Sequence, residues 1–284
     1  MSLNENWFTE ANEETGTGFS LKIKAKLYEE QTPFQKLEIY DTETFGKLMI
    51  LDGCTMVSTR DNFLYHEMMS HPALFTAKTP KRILIIGGGD CGTLKEVLKH
   101  PEVELAQQID IDEAVTRAAE IYFPELCESN NDPRAELKFI DGIKWIAESA
   151  AGSYDVIIVD STDPVGPALG LFSVEFYQNC FNALSEGGVL VQQSESPLTH
   201  QKLLKEMHDA FKQVGFVDTK TLPFPQPIYP TGWWSCTMAV KGAKADDFRE
   251  ADSNNKTFKT RYYNTGIHKG ALVSPPMFAD EIGI

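Results

Sequence analysis

Short runs of branched apolar residues alternate with helix-length segments after residue 81, and this alternation constrains the fold more than any other feature. The runs are RILIIG at 82–87, LAQQID at 105–110, LKFID at 137–141, YDVIIVD at 154–160 and GGVLVQQ at 187–193. Runs such as ILII and VIIV are typical of strands buried on both faces. The pattern predicts repeated βα units that form a mostly parallel sheet with helices on both sides.

The predicted helices follow the strands at 93–100, 112–122, 143–150, 173–184 and 199–214. Two further strands are predicted at 216–222 and 234–240, so we expect the sheet to end with an antiparallel strand. The fold class is therefore α/β, with a Rossmann-like sheet of the methyltransferase type. The polar stretch 244–256 is interpreted as a surface excursion.

The N-terminal part of the chain has a different pattern. Residues 21–51 alternate apolar and polar side chains in short runs, separated by Pro33 and by residues 44–46, which is typical of β-hairpins. Residues 63–77 have helical spacing, and Pro80 lies in a plausible boundary. We predict a small N-terminal β domain with a connecting helix at 1–78 and a catalytic domain at 79–284.

Composition excludes several classes of protein. No apolar run approaches the roughly 20 residues that a membrane helix needs, and the N-terminal segment lacks the pattern of a secretory signal. The five cysteines show no CxxC spacing, which argues against a disulfide framework and a zinc site. A net charge of -15 argues against nucleic-acid binding. We therefore expect a cytoplasmic protein with neither membrane nor nucleic-acid partners.

Carboxylates follow the predicted strands at the points where those strands end. The first strand runs into the glycine-rich turn GGGDCG at 87–92, where Asp90 would repel a pyrophosphate and suits a cationic ligand. The fourth strand ends in the rigid acidic loop DSTDPVGP, which contains Asp160 and Asp163. Because like charges crowded together need a cation or a proton between them, this edge of the sheet implies a polyamine or a metal.

Two further carboxylates fit a nucleoside. Asp110 ends the second strand about twenty residues after the glycine-rich turn, where an acidic side chain can accept the hydroxyls of a ribose. Asp141 follows the third strand, and its carboxylate can accept adenine amino hydrogens or cap the next helix. Both interpretations of Asp141 stay open at this point.

These segments, together with others along the chain, resemble the spermidine synthase family of polyamine aminopropyltransferases over nearly the full length. The matching stretches include WFTE, FQKLEIYDTETFGKLMILDG, TRDNFLYHEMMSHPAL, GGGDCGTLKEVLKHP, DSTDPVGPALGLFSVEFY, PIYPTGWW and RYYNTGIHKGA. The resemblance implies transfer of an aminopropyl group from decarboxylated S-adenosylmethionine, a co-substrate, to putrescine or a close diamine. It also implies a homodimer or homotetramer, and we expect neither a metal nor a separate cofactor.

Site residues are implied position by position. Those that would hold the nucleoside half of the donor and its product methylthioadenosine are Gln35, Asp90, Asp110, Asp141, Gly142 and Pro167, with Asp90 at the aminopropyl ammonium. Those that would bind the polyamine amines or line the acceptor channel are Trp7, Tyr65, His66, Asp90, Asp160, Ser161, Thr162, Asp163, Gln193 and Tyr229.

The reaction needs a base. The acceptor amine is an ammonium in water, with a pKa of about 10.4 like that of lysine, and only its neutral form can attack carbon. Asp160 is the candidate base, with Tyr65 and Asp163 orienting the amine or passing the proton to solvent. The sulfonium already activates the carbon, so in-line displacement at the adjacent methylene would release methylthioadenosine.

Some positions depart from the family pattern, and alternatives remain. Cys91 stands where glycine is usual, so either its backbone is strained by a positive φ or its thiol lines the donor pocket. Asp110 replaces a longer glutamate, and LVSPPMF replaces the usual C-terminal motif. The alternatives are an S-adenosylmethionine-dependent amine N-methyltransferase and a non-catalytic polyamine-binding regulatory protein. The choice among putrescine, cadaverine, agmatine and spermidine as acceptor stays open.

Overall fold

A small antiparallel sheet forms the N-terminal part of the chain. The computed structural model describes residues 5–13, 15–163 and 166–284, with only the backbone at 166 and 167. The five strands pair in chain order, and they are β1 (Trp7–Asn12), β2 (Thr17–Gln31), β3 (Lys36–Thr42), β4 (Lys47–Leu51) and β5 (Cys54–Ser58). The alternating pattern at 21–51 thus folds into hairpins as predicted, and β1 extends the sheet by one strand that the pattern did not predict.

The larger sheet has seven strands in the order β11-β12-β10-β9-β6-β7-β8. They are β6 (Arg82–Gly87), β7 (Leu105–Asp110), β8 (Ala135–Phe139), β9 (Tyr154–Asp160), β10 (Leu184–Gln193), β11 (Asp218–Pro225) and β12 (Trp233–Val240). β6 to β10 pair in parallel, and the reversed strand β12 lies between β10 and the edge strand β11. The predicted Rossmann-like sheet with an antiparallel strand is confirmed, but that strand, β12, is the penultimate one, because β11 pairs beyond it.

Helices cover both faces of this sheet. They are α1 (Asn62–Thr76), α2 (Gly92–Leu98), α3 (Glu113–Tyr122), α4 (Gly142–Glu148), α5 (Val174–Ala183), α6 (Gln201–Val214), α7 (Glu250–Asn254) and α8 (Thr265–Leu272). Short 3-10 helices span Gly166–Phe172 and Ala245–Asp247, and a π-helical turn spans Phe278–Ile282. None of the helices in the described part of the chain is long and apolar enough to cross a membrane.

Alternate residues of the buried strands point into two separate cores. Ile83 and Ile158 pack in the core beneath α1 and α2, whereas Leu84 and Ile157 pack in the core beneath α5 and α6. Burial on both faces explains why these strands read as continuous apolar runs rather than as an alternation.

The small sheet rests on the larger unit through α3. Ile39 and Met49 of the small sheet share an apolar cluster with Val115 and Ala119 of α3. This contact holds the small sheet over the carboxyl edge of the parallel strands, where the site lies.

Most residues of the stretch 244–256 are exposed, as its interpretation as a surface excursion implies, but a few side chains anchor it to the core. Ala245 and Phe248 are buried in the main core. The guanidinium of Arg249 donates hydrogen bonds to the carbonyl oxygens of Leu74 and Ala77 at the end of α1. The sequence pattern showed only the polar outer face, because two apolar residues and one arginine carry the packing.

Candidate active site

A chamber of about 590 Å³ opens at the carboxyl edge of the parallel strands. We call it the large chamber. Its lining comes from the glycine-rich turn, from the ends of β7 and β9, from the start of α4 and from the small sheet. Its polar and charged lining side chains are Gln35, Asp52, Asp90, Asp110, Asp141, Asp160, Ser161, Thr162, Asp163, Tyr65 and Tyr229. Parallel strands place Asp90, Asp110, Asp141 and the loop 160–163 together because their carboxyl ends share one edge, and Tyr65 joins them from α1.

Asp160 ends β9 at the centre of this edge. The hydroxyl of Tyr65 donates a hydrogen bond to its Oδ1 over 2.7 Å, and Oγ1 of Thr93 donates to its Oδ2 over 2.6 Å. Burial and the nearby Asp90 carboxylate raise the pKa of Asp160, while both hydroxyl donors act in the opposite direction. The carboxylate is therefore fixed in orientation and more basic than a free aspartate.

Asp90 is held from two sides at the glycine-rich turn. Its Oδ1 accepts the backbone N–H of Gly92 over 2.7 Å, and its Oδ2 lies 3.2 Å from Nε2 of His66. Burial alone would lower the pKa of His66, but the neighbouring carboxylates, led by Asp90 and followed by Asp160 and Glu96, together raise it. His66 is buried behind Asp90 and is not among the residues that line the large chamber. In this structure His66 contacts Asp90, and its predicted contact with an amine stays a prediction.

Asp110 ends β7 inside the chamber. Its Oδ1 accepts the backbone N–H of Asp112 over 2.8 Å. Burial raises the pKa of Asp110 to about 6. Gln35, from the loop before β3, donates from Nε2 to Oδ2 of Asp112 over 3.0 Å. Gln35 and Asp110 thus line one wall of the chamber, joined through Asp112.

Asp141 and Gly142 line the chamber at the start of α4, after the strand that neighbours β7. The Asp141 carboxylate accepts the backbone N–H groups of Ile143 and Lys144, so it caps the helix while lining the chamber. The two interpretations of Asp141 are therefore compatible. A Cβ at Gly142 would lie 2.6 Å from Cγ2 of Ile86, so only glycine lets the helix approach β6 this closely. The side chain of Pro167 lies outside the described residues.

A second, smaller chamber of about 40 Å³ adjoins the first. We call it the small chamber. Tyr65, Tyr229 and the loop 161–163 line both chambers and so connect them. Gln193 lines the small chamber, and its Nε2 donates to Oε1 of Glu195 over 3.2 Å. Trp234 closes part of its wall.

Three carboxylates surround the small chamber, namely Glu10, Asp163 and Glu195. Burial, followed by the neighbouring Asp163, raises the pKa of Glu195 well above its ordinary value. Burial likewise raises the pKa of Glu10, although Thr55 N–H donates to its carboxylate over 2.8 Å. Sequence reasoning missed Glu10 and Glu195 as site residues, although the WFTE segment quoted above contains Glu10.

Trp7 and the thiol of Cys91 lie outside both chambers. Trp7 belongs to β1, where it pairs with Lys22, and it lines neither chamber as the described residues form them. The predicted contact of Trp7 with the acceptor therefore has no support in this geometry. Cys91 has a φ of 68°, as the glycine position predicted. Its buried thiol contacts Cys127 and Gln108, which corrects the alternative that it lines the donor pocket.

The fold and the site together define the class of protein to which the chain belongs. A mostly parallel α/β sheet with a glycine-rich turn after its first strand, an aspartate at the end of its second strand and a cavity at its carboxyl edge is the arrangement of nucleoside-binding α/β proteins. The carboxylates around the cavity narrow this class to proteins that handle a cationic nucleoside and amines.

Comparison with known proteins identifies the family. Residues 62–249 match the family model described as "Spermine/spermidine synthase domain", and residues 6–58 match the "Spermidine synthase tetramerisation domain". The polyamine aminopropyltransferase of Methylococcus capsulatus is 63% identical over 98% of this chain and 97% of its own length. That of Thioalkalivibrio sulfidiphilus is 60% identical over 99% of both chains. The chain belongs to the spermine/spermidine synthase family.

Solved structures agree with this assignment. A spermidine synthase in complex with the transition-state analogue AdoDATO superposes with a TM-score of 0.93 at 35% identity, covering 100% of this chain and 97% of the other. The spermidine synthase of Thermotoga maritima superposes with a TM-score of 0.92 at 35% identity, covering 98% and 94%.

Proposed function

We propose that this protein transfers an aminopropyl group from decarboxylated S-adenosylmethionine to putrescine, giving spermidine and methylthioadenosine. The observation that carries this proposal is the charge of the large chamber. Six aspartates line it, whereas no lysine, arginine or histidine does among the described residues. S-adenosylmethionine carries a carboxylate that such a wall would repel, but the decarboxylated donor carries only a sulfonium and an ammonium. The wall therefore favours the decarboxylated donor.

The donor lies across the large chamber in this proposal. Asp110 and Gln35 hold the ribose, and Asp141 with the backbone at Gly142 holds the adenine. Asp90 accepts from the aminopropyl ammonium, because its carboxylate lines the chamber at the glycine-rich turn, near Asp160. We include Pro167 at the nucleoside from the family resemblance alone.

Asp160 acts as the base. Its raised pKa suits removal of a proton from the attacking ammonium, and Tyr65 keeps Oδ1 oriented. The neutral amine nitrogen then forms a bond to the methylene beside sulfur, the carbon–sulfur bond breaks with its electron pair on sulfur, and methylthioadenosine leaves. Alignment of the two substrates and the carboxylates around the distributed positive charge supply the acceleration.

The acceptor reaches from Asp160 into the small chamber. Its distal ammonium would lie among Glu10, Asp163 and Glu195, where burial makes a cation the natural partner of crowded carboxylates. Tyr229 and Gln193 line the path, and the loop residues Ser161 and Thr162 bound it where the two chambers meet.

We also infer a homodimer or homotetramer that works in the cytoplasm. The match of residues 6–58 to a tetramerisation domain supports the assembly. The two substrates suffice chemically, because the sulfonium is itself the activating group, and we therefore propose no separate cofactor or metal. The division of the chain at 78/79 stays a prediction.

The test uses two donors in parallel. Purified protein is incubated with putrescine and either decarboxylated S-adenosylmethionine or S-adenosylmethionine, and nucleoside and amine products are separated by chromatography. We expect methylthioadenosine and spermidine in the first tube only. A methylated amine in the second tube alone would show an N-methyltransferase, and amine binding without turnover in either tube would show a regulatory protein.

A further inference from the structure

The Asp160 carboxylate accepts a hydroxyl hydrogen bond on each of its oxygens. Tyr65 donates from α1 and Thr93 donates from the first turn of α2. Since the two donors come from different helices, they fix the rotation of the carboxyl plane about its Cβ–Cγ bond. Each carboxylate oxygen has two acceptor directions, so both oxygens keep one free direction for a substrate.

Thr93 is placed for this contact without touching either chamber. It is fully buried and lines neither chamber in the described structure. Its carbonyl oxygen accepts from Oγ of Ser70 over 3.5 Å, and the preceding residue, Gly92, is tied to Asp90 by its backbone N–H. A β-branched side chain on a helix has few rotamers, which makes its hydroxyl a rigid donor.

We propose that Thr93 is a positioning residue of the transfer reaction, whose hydroxyl fixes Oδ2 of Asp160 so that the carboxylate presents its free acceptor directions to the attacking amine. The inference rests on the proposed function and adds a residue that acts through Asp160 and touches no substrate. It assigns a chemical role to a buried threonine that a packing argument would treat as core.

The charged groups around Asp160 determine how removal of the Thr93 hydroxyl changes the protonation of Asp160. Asp90 faces it from the glycine-rich turn and disfavours its ionised form, whereas His66 on α1 favours that form. The nearby titratable groups Asp110 and Tyr229 also interact with its charge. Thr93 and Tyr65 are the hydroxyls that favour the carboxylate by hydrogen bonding. Removing one of them leaves the protonated form relatively more stable.

The experiment compares Thr93→Val with Thr93→Ser. Valine keeps the shape of threonine and removes the hydroxyl, whereas serine keeps the hydroxyl and loses a methyl group. Since a hydrogen bond to a charged group contributes on the order of a 10- to 100-fold effect, we expect kcat of Thr93→Val to fall by about that factor. The acid limb of kcat/KM should move up by about one pH unit. The KM of the donor and the affinity for methylthioadenosine should stay within about twofold, because Thr93 lines no chamber.

Two controls make the result specific. Thr93→Ser should restore kcat to within about threefold of wild type and return the acid limb to its original position. Thr221→Val alters another buried threonine, whose Oγ1 contacts Nε2 of His208 on α6 and which lines neither chamber. It should lower thermal stability and leave the acid limb in place.

An unchanged kcat and an unchanged acid limb in a folded Thr93→Val protein would overturn the inference. Failure of both Thr93→Val and Thr93→Ala to fold, with Thr93→Ser intact, would show a purely structural role and would overturn it as well. The proposed function is judged separately, by whether wild-type protein releases methylthioadenosine at all.

Discussion

Replacing Asp160 with asparagine should remove most of the turnover and leave the fold intact. The change keeps the shape of the side chain but removes the negative charge and the base. It also sets an amide against two hydroxyl donors, Tyr65 and Thr93, which lie 2.7 and 2.6 Å from the carboxylate oxygens. One of these hydroxyls then faces an N–H group and loses its acceptor.

The expected decrease in kcat follows from the loss of the base and from the loss of one hydrogen-bond acceptor. General-base catalysis contributes about 10²- to 10⁴-fold, and the displaced hydroxyl adds to that loss. We therefore expect kcat to fall by roughly 10³-fold or more, which is about 4 kcal/mol at about 1.4 kcal/mol per decade. The loss should appear in kcat, because the proposed arrangement places the nucleoside at Asp110 and Gln35 rather than at Asp160.

The assay follows methylthioadenosine release by chromatography at saturating donor and putrescine. Calorimetric titration with methylthioadenosine should give a Kd within about threefold of wild type, and circular dichroism should show an unchanged fold. Asp163→Asn alters the other carboxylate of the same loop and should instead raise KM for putrescine. Turnover of Asp160→Asn above about one tenth of wild type would remove Asp160 from the role of base.

Three further changes probe the remaining contacts. Asp90→Asn should weaken binding of the decarboxylated donor by about tenfold or more and of methylthioadenosine by less than about twofold, measured by titration, and equal weakening would mean that the donor is misplaced. Glu195→Gln should raise KM for putrescine by about tenfold with KM for the donor unchanged, and a change confined to the donor would contradict the role of the small chamber. Gly92→Ala would place a Cβ 2.1 Å from Cε1 of His66. The substitution should lower both Tm and donor affinity, because it moves the imidazole ring that contacts Asp90. An unchanged Tm would show that the ring can shift without cost.

The site residues that follow the parallel strands could be predicted from the sequence. Asp90, Asp110 and Asp160 each follow a buried strand, and parallel pairing brings such ends to one edge of the sheet. The positive φ of Cys91 could also be predicted, because glycine is usual at that position in the family. These predictions needed only local pattern and the direction of the strands.

Side chains that meet across long sequence separations could not be found in the same way. Glu10 comes from the first strand and Glu195 follows β10, and only the docking of the small sheet brings them to one chamber. The hydroxyl of Thr93 likewise meets Asp160 across two different βα units. No spacing rule relates such positions.

Neighbouring residues in a motif were also over-interpreted. Tyr65 and His66 are consecutive on α1, so their side chains point about 100° apart and do not both face the chamber. Tyr65 reaches Asp160, whereas His66 lies behind Asp90. The division of the chain at 78/79 remains a prediction. It assigns α1 to the small domain, whereas Met68 and Met69 of α1 pack into the core of the larger sheet.

The central claim is best tested by the mass of the amine product. Purified protein is given decarboxylated S-adenosylmethionine and an equimolar mixture of putrescine, cadaverine, agmatine and spermidine, and all amines are analysed by mass spectrometry. We predict that methylthioadenosine forms in equal amount with spermidine, which is putrescine with one added aminopropyl group. Absence of any aminopropylated amine, in protein that binds methylthioadenosine, would contradict the account.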